Sequence, residues 1–318
     1  MLHGSAGSWN NAQNLGMQVR IVMTGCHGFV GKNLVDYFSQ LGVEVIGLTN
    51  GDQINPKLFA QLRIKDIVYG SNRLRLLKEL ALFDCDYFIH LSAILDENHY
   101  FDELIRVNSL LTLDLARIAI EIGIPQFVYI STVTVVGAPQ DSPIDEGHLL
   151  NPKNNYERTK LIAEYLLRGI ENLGTKIDIL RIPAPIGSYL PHHRFFYKVV
   201  KSISNGQNPR IYSFGQRIQN YLDIRDLGRA VLLLRNYPKS ELFLIRGLDE
   251  LSNTEAVKKI ISLTNPTLKI EFSEMLDIYD SHNWSIDGSK AFSLLNYEPI
   301  YGIEDCIQKL WWEVRAIG

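Results

Sequence analysis

The stretch Thr24-Gly25-Cys26-His27-Gly28-Phe29-Val30-Gly31 decides the fold. It follows an apolar run, Val19 to Met23. After it, Phe29, Val30, Leu34, Val35, Phe38 and Leu41 recur at helical spacing, and Val43 to Leu48 reads as a second strand. Strand, glycine turn, helix and strand in this order open a dinucleotide-binding unit. One glycine permits the tight turn, one lets the backbone approach a pyrophosphate, and one allows the helix to pack closely, with its N-terminal amides facing the phosphates. Gly25, Gly28 and Gly31, with His27, Phe29 and Val30 from the same loop, are therefore the expected cradle of a nicotinamide dinucleotide.

The alternation continues outward. Strands are expected at Ile64 to Tyr69, Asp86 to Leu91, Gln126 to Ser131 and Lys176 to Arg181. Helices are expected near Leu74 to Leu82, Leu104 to Ile122 and Tyr156 to Ile170. This rhythm predicts an α/β fold, a Rossmann-type doubly wound parallel sheet with helices on both faces. After Arg181, prolines 183, 185, 191 and 209 interrupt shorter elements. The expected division is a dinucleotide-binding domain over 17–182 and a smaller mixed C-terminal lobe for substrate over 183–318. Within that lobe 225–247, helix then strand, returns to the first sheet. Residues 1–16, polar and rich in Gly, Ser and Asn, read as a disordered extension or tag ahead of a native start at Met17.

Bulk properties narrow the partners. The 318 residues are 46% hydrophobic and 21% charged with a formal net charge of -3, ordinary globular values without a basic footprint for nucleic acid or an anionic membrane. No apolar run approaches the roughly 20 residues of a membrane span. The 3 cysteines, Cys26, Cys85 and Cys306, lie far apart and form neither a disulfide framework nor a metal motif. A small-molecule partner and a reducing cytoplasm are expected.

The end of the second strand should meet the adenine ribose, where an acid favours NAD and a cation favours NADP. Thr49 and Asn50 are neutral, Asp52 lies slightly further on, and no Arg or Lys precedes Lys57. The absence of a partner for a 2'-phosphate inclines the reading to NAD over NADP. Tyr156 and Lys160 stand four residues apart on one helix face, with Asn154 or Asn155 as cap. A positive Lys160 near Tyr156 is expected to lower the phenol's pKa so that it exchanges a proton with a substrate hydroxyl or carbonyl. Tyr197 and Lys201 share the spacing, so the pattern means little by itself and position decides between the two pairs. Tyr156 follows the strand ending at Ser131-Thr132, where Thr132 supplies a second hydrogen bond to the reacting oxygen.

These residues resemble the extended short-chain dehydrogenase/reductase family, in its nucleotide-sugar epimerase and dehydratase branch. The resemblance rests on TGCHGFVG at 24–31, HLSA at 90–93, Val107-Asn108, VYISTVTVVG at 128–137, Glu146, Pro152 and YERTK at 156–160. It continues through Leu180-Arg181, NYLDIRD at 220–226 and DGSKAFSLLNYEP at 287–299. It implies Thr132, Tyr156 and Lys160 as the catalytic set, and Leu91, Ser92, Ala93, Asn108 and Pro183, with Tyr156 and Lys160, beside the cofactor; Asn108 reads equally as a helix residue bonding neighbouring backbone. It also implies a homodimer, to which the apolar helix face of Leu104, Val107, Leu111 and Leu115 would contribute.

Several positions depart from the family's pattern. Val133-Thr134 stand where dehydratases of the branch carry Asp-Glu, which disfavours 4,6-dehydration. Ala184 replaces the usual Asn, Val136 the usual Tyr, and Gln219 the arginine that commonly clamps the nucleotide diphosphate, with Arg217 two residues earlier. Losing such charge-assisted bonds removes roughly 1.5–3 kcal/mol each unless neighbours replace them. Arg217 and Arg194, with His192 and His193, are the candidates to do so, and Thr132, Val133, Arg194, Arg217 and Gln219 form the expected substrate side.

The expected activity is an NAD(P)-dependent epimerase of a nucleotide-activated sugar acting through a transient keto intermediate. Alternatives are a reductase of a 4-keto nucleotide sugar or another carbonyl compound, and a non-catalytic dinucleotide-sensing protein. No histidine has metal-ligand spacing; His90, at a strand end, is expected to be packed, and no metal is expected.

Overall fold

The computed structural model describes residues 19–50, 55–63, 73–96, 99–171 and 173–317. Its first unit is β1 (Arg20–Thr24), α1 (Phe29–Gln40) and β2 (Glu44–Thr49), followed by β3 (Ala60–Arg63), α2 (Arg73–Leu80) and β4 (Tyr87–His90). Then come a long helix, α3 (101–121), and β5 (Gln126–Thr132), α4 (Asn155–Arg168) and β6 (Lys176–Ile182). The strand expected at Ile64 to Tyr69 lies outside the described residues, as does the extension at 1–16.

Seven strands form one parallel sheet in the order β10-β6-β5-β4-β1-β2-β3, with β10 at Glu241–Leu244. The chain winds outward from β1 in one direction through β2 and β3, then in the other through β4, β5 and β6. The topological switch between β1 and β4 opens a crevice at the strands' C-terminal ends, where ligands bind in such sheets. Both faces of the sheet are covered, which is why its strands are apolar runs instead of alternating ones. Leu34, Val35 and Phe38 of α1 pack on one face, and Leu111, Leu115 and Ala163 of α3 and α4 on the other.

α3 departs from the expected continuous helix. It runs as α-helix Phe101–Ile105, a π-helical turn Arg106–Leu110 and α-helix Leu111–Glu121. The wider turn brings Asn108 and Ser109 inward, where both side chains bond to α4. The expected dimer face is also corrected. Leu104, Leu111 and Leu115 are buried within the chain's own core and Val107 lines the crevice, so a partner would have to use other residues.

The second lobe starts with β7 (Ala184–Ile186) and α5 (Phe195–Ser204), then β8 (Arg210–Tyr212) and β9 (Ile218–Asp223). After α6 (Ile224–Leu233) and β10 come β11 (Asp249–Ser252), α7 (Asn253–Thr264), β12 (Glu271–Ser273), β13 (Asn283–Trp284), α8 (Ser289–Leu295) and α9 (Ile303–Ile317). β9 is the hub of a four-stranded mixed sheet, antiparallel to β11 and parallel to β13 and β7. α5, α7 and α9 share its apolar core through Val200, Ile260 and Ile307. α6 and β10 lie with the first domain. No helix among the described residues is long and apolar enough to cross a membrane.

Under β5, α4 and β6 are joined by a buried ion pair: Arg181 donates to Glu164 from Nη2 at 2.7 Å and from Nε at 3.1 Å, while Ser131 Oγ donates to the same carboxylate at 2.5 Å. Removing one partner strands the other charge in a low dielectric. Arg181→Met is therefore expected to destabilise the fold by about 3–5 kcal/mol, read as a fall in the urea midpoint with an unchanged slope.

Candidate active site

A cleft of about 720 Å³ lies where β1, β4, β5 and β6 end and the second lobe begins. Its cofactor-side wall is the glycine turn. Gly25 adopts φ +72°, and a Cβ there would stand 3.0 Å from both Leu91 Cβ and Ser92 N. Gly28 N donates to Gly25 O at 2.9 Å. At Gly31 a Cβ would stand 2.1 Å from Gly25 O, so the helix packs on the turn at a distance only glycine tolerates. Gly28 is the N-cap of α1 and offers no side-chain bond to the first turn, whose amides are available to a phosphate. These features fit a dinucleotide pyrophosphate.

Phe29 and Val30 line the same wall, as do Asn50 at the end of β2 and Pro183 after β6. Leu91, Ser92 and Ala93 continue it beyond β4. Three expected cofactor residues lie off the wall. Thr49 is buried at the end of β2, and His27 has a buried Nε2 without a partner. Asn108 is fully engaged behind the wall: Oδ1 accepts from Ile94 N at 2.8 Å, and Nδ2 donates to Ile94 O at 3.0 Å and Thr159 Oγ1 at 3.1 Å. Lys57, the first basic residue after β2, pairs with Asp36 at 2.7 Å.

A buried polar chain connects this wall to α4. Thr24 Oγ1 accepts from the amides of Leu91 and Ser92 at 3.2 and 3.3 Å and lies 2.6 Å from His90 Nδ1. Thr112 Oγ1 donates to Asn108 O, so it must accept from His90 Nε2, 2.9 Å away. His90 thus carries its proton on Nε2 and accepts from Thr24 on Nδ1. Burial holds its pKa down at about 3, with Lys160 adding to the effect, so the ring is a neutral strut.

Thr132 ends β5. Its Oγ1 accepts from Thr134 N at 3.2 Å and lies 3.0 Å from Thr134 Oγ1. α4 begins with the capping box that Asn154 and Glu157 form, placing Tyr156 in its first turn and Lys160 one turn on. Thr132, Tyr156 and Lys160 all contribute to the lining of the cleft. The structure corrects their expected electrostatics. Lys160 Nζ donates to Ile130 O at 2.6 Å and stands 4.1 Å over the Tyr129 ring, turned toward the sheet. Burial pushes Tyr156 up to about 12, and the cation that opposes this is Arg194 rather than Lys160. Burial likewise draws Lys160 down to about 7 against the pull of Glu164.

Across from Tyr156 lie Val133, Arg194, Arg217 and Gln219. Among the described residues neither arginine has an ion pair. Arg217 has a buried Nε without a partner, and its guanidinium sits 5.4 Å from the centre of the Tyr279 ring. Gln219 Nε2 donates to Asn253 Oδ1 at 3.4 Å. His193 reaches the wall, whereas His192 stacks on Tyr197 at 4.3 Å, and neither Tyr197 nor Lys201 lines the cleft. Sequence reading missed Trp284, which β13 brings beside Gln219 of β9. Nothing local marks it, because the two-residue strand carrying it is defined only by its pairing. No metal-holding group of His, Cys, Asp and Glu occurs among the described residues.

The model of the NAD dependent epimerase/dehydratase family matches residues 21–245, more than two thirds of the chain. A UDP-glucuronic acid decarboxylase 1 of Arabidopsis thaliana is 26% identical over 315 residues, covering 94% of this chain and 70% of that protein. A putative UDP-glucose 4-epimerase of Methanocaldococcus jannaschii is 28% identical over 244 residues, 70% of this chain and 75% of the relative. Among solved structures, the UDP-glucose 4-epimerase of Thermotoga maritima with UDP-glucose superposes with a TM-score of 0.79 at 20% identity, covering 94% of this chain and 99% of that one. The UDP-glucuronic acid 4-epimerase of Bacillus cereus, in complex with UDP-glucuronic acid and NAD, gives 0.78 at 21% identity over 94% and 100%. At these identities the solved structures establish the shared fold.

The depressed Lys160 pKa has a measurable sign. Between about 7 and the ordinary 10.5, the unfolded chain holds a proton that the folded chain has released, so this residue's contribution to stability rises with pH across that window. The stability of the cofactor-free protein minus that of Lys160→Met, from urea unfolding, should increase by on the order of 1 kcal/mol per pH unit above about pH 7.

Proposed function

Because the chain belongs to the NAD dependent epimerase/dehydratase family, we propose that it is an NAD-dependent epimerase of a nucleotide-activated sugar, with Thr132, Tyr156 and Lys160 as its catalytic residues. The observation that carries this reading is one cleft holding the glycine turn, the Thr132-Tyr156-Lys160 group and two arginines without ion pairs. The relatives named for UDP-sugars support the substrate class.

In this reading the first domain holds NAD through Gly25, Gly28 and Gly31 and the wall from Leu91 to Ala93, and the second lobe holds the sugar nucleotide. Bound there, NAD would supply a reversible hydride acceptor for the carbinol carbon, so that a centre could be inverted without net consumption of cofactor. Tyr156 Oη takes the hydroxyl proton as oxidation begins and gives one back on reduction. Thr132 Oγ1 fixes the same oxygen. A phenol held near 12 is a weak acid at neutral pH, so it must be lowered in the complex. Arg194 already acts in that direction, and Lys160, turned from Ile130 O toward the ribose hydroxyls and Tyr156, adds to it. Arg194 and Arg217 neutralise the diphosphate, taking over from the position occupied by Gln219. NAD is favoured over NADP because Asn50 is neutral and Lys57 is paired with Asp36. A homodimer and a cytoplasmic setting belong to the same proposal.

Incubation of the protein and NAD with UDP-, dTDP- and GDP-hexoses, followed by NMR of the sugar, should show one epimer forming from another without lasting absorbance of reduced cofactor. Stoichiometric consumption of NADH with a 4-keto sugar nucleotide would replace the epimerase by a reductase. Tyr156→Phe should lower turnover by about 10²–10⁴-fold, the usual contribution of a positioned proton-transfer group. Unchanged turnover would remove Tyr156 from the reaction.

A further inference from the structure

The wall beyond Thr132 is built largely from groups that make no hydrogen bonds. Val133, which directly follows Thr132, shares a buried cluster with Val136, Ile144 and Trp284, and both Val133 and Trp284 reach the cleft. Trp284 is 8% exposed, and its indole nitrogen has essentially no accessible surface and no partner. The indole therefore offers the cleft carbon alone. Ala184 and Pro185 of β7 extend the same apolar lining.

Several polar side chains on the wall are engaged by the protein itself. Asn220 donates to Glu250 Oε1 at 3.0 Å and Gly247 O at 3.3 Å, and accepts from Gly247 N at 2.6 Å. Asn154 Oδ1 accepts from Glu157 N at 2.9 Å, while the Glu157 carboxylate accepts from the amides of Lys153 and Asn154. Ser131 is held by Glu164. Thr134 and Gln219 also reach the cleft, the latter beside Trp284, so the wall sets these groups, the arginines and the hydroxyls of Tyr156 and Thr132 around a carbon surface at Val133 and Trp284.

Resting on the sugar-nucleotide reading above, we propose that the substrate is a nucleoside-diphosphate 6-deoxyhexose, whose methyl lies on Val133 and the indole of Trp284. The exocyclic carbon is where a hexose can lack oxygen while every ring carbinol is retained. An oxygen at that position would lose water against valine and indole carbon, a loss that the methyl does not incur. The arginines take the diphosphate, and Tyr156 with Thr132 takes the reacting hydroxyl.

The test compares kcat/KM for a 6-deoxyhexose, the parent hexose and the corresponding uronate on the same nucleoside diphosphate, in UDP, dTDP and GDP series, with products identified by NMR. The 6-deoxy sugar should be preferred over the hexose by roughly 10- to 100-fold, the range by which an apolar pocket rejects an added hydroxyl. Val133→Thr, close in volume but bearing a hydroxyl, should shrink that preference by about tenfold, chiefly by improving the hexose. Equal or better turnover of the parent hexose overturns the proposal, and so does a preference for the uronate, which would assign an arginine to the sugar instead of the diphosphate. If the protein binds NAD but turns over no sugar nucleotide in any series, the epimerase reading itself fails and this inference falls with it.

Discussion

Thr24 Oγ1 answers to three neighbours at once, and the geometry of the site hangs on it. It takes the amides of Leu91 and Ser92, which pass beneath the glycine turn, and it gives its proton to His90. From His90 the chain of bonds runs through Thr112 to the backbone of Asn108, and the Asn108 side chain reaches Thr159, whose hydroxyl donates to the carbonyl of Tyr156 at 2.9 Å. The wall expected to meet the cofactor and the helix carrying the tyrosine are therefore set against each other by direct, directional contacts. Apolar packing alone would hold these elements together but would fix their relative position less strictly.

The same burial that makes those bonds stringent governs charge in the cleft. Tyr156 and Lys160 are displaced in opposite directions, one toward 12 and the other toward 7, so the free protein holds the phenol neutral and leaves Lys160 only partly charged near neutral pH. Desolvation is the common cause, since each group loses more hydration than its neighbours return. The charges left to organise a ligand are then the guanidinium groups of Arg194 and Arg217 opposite. A ligand that brings its own anionic centre gains from this arrangement, and a neutral one does not.

The sequence made the sheet and the glycine turn legible because their requirements are local. A turn that must accommodate φ +72° at Gly25 and a helix that must clear Gly25 O at Gly31 leave glycine as the residue that fits. Tyr156 and Lys160 were legible from their spacing after a strand end. What escaped was set by tertiary context. Asn108 reads either as a cofactor contact or as a helix residue bonding backbone; the π-turn directs it to Ile94 and Thr159, and the 3.6-residue period carries no sign of that extra residue. Leu104, Leu111 and Leu115 form an apolar stripe that reads equally as core or interface, and the fold uses it as core. The direction of Lys160 depends on Ile130 O, thirty positions away in sequence. Trp284 reaches the cleft only through pairing with β9.

The path of the chain between the lobes sets a limit on modularity. It leaves the parallel sheet after Ile182, returns for α6 and β10, departs again for β11 to β13, comes back to pack Ala291 and Leu295 of α8 into the first core, and ends in α9 in the second. β10 closes one edge of the large sheet by pairing with β6 in parallel register. A cut after Ile182 would strip that edge bare and take the α6 and α8 side chains out of the core beneath it. Neither lobe is a cassette that recombination could lift out whole. A change of specificity in such a chain has to come from substitutions on a shared wall, residue by residue, rather than from exchange of a substrate module.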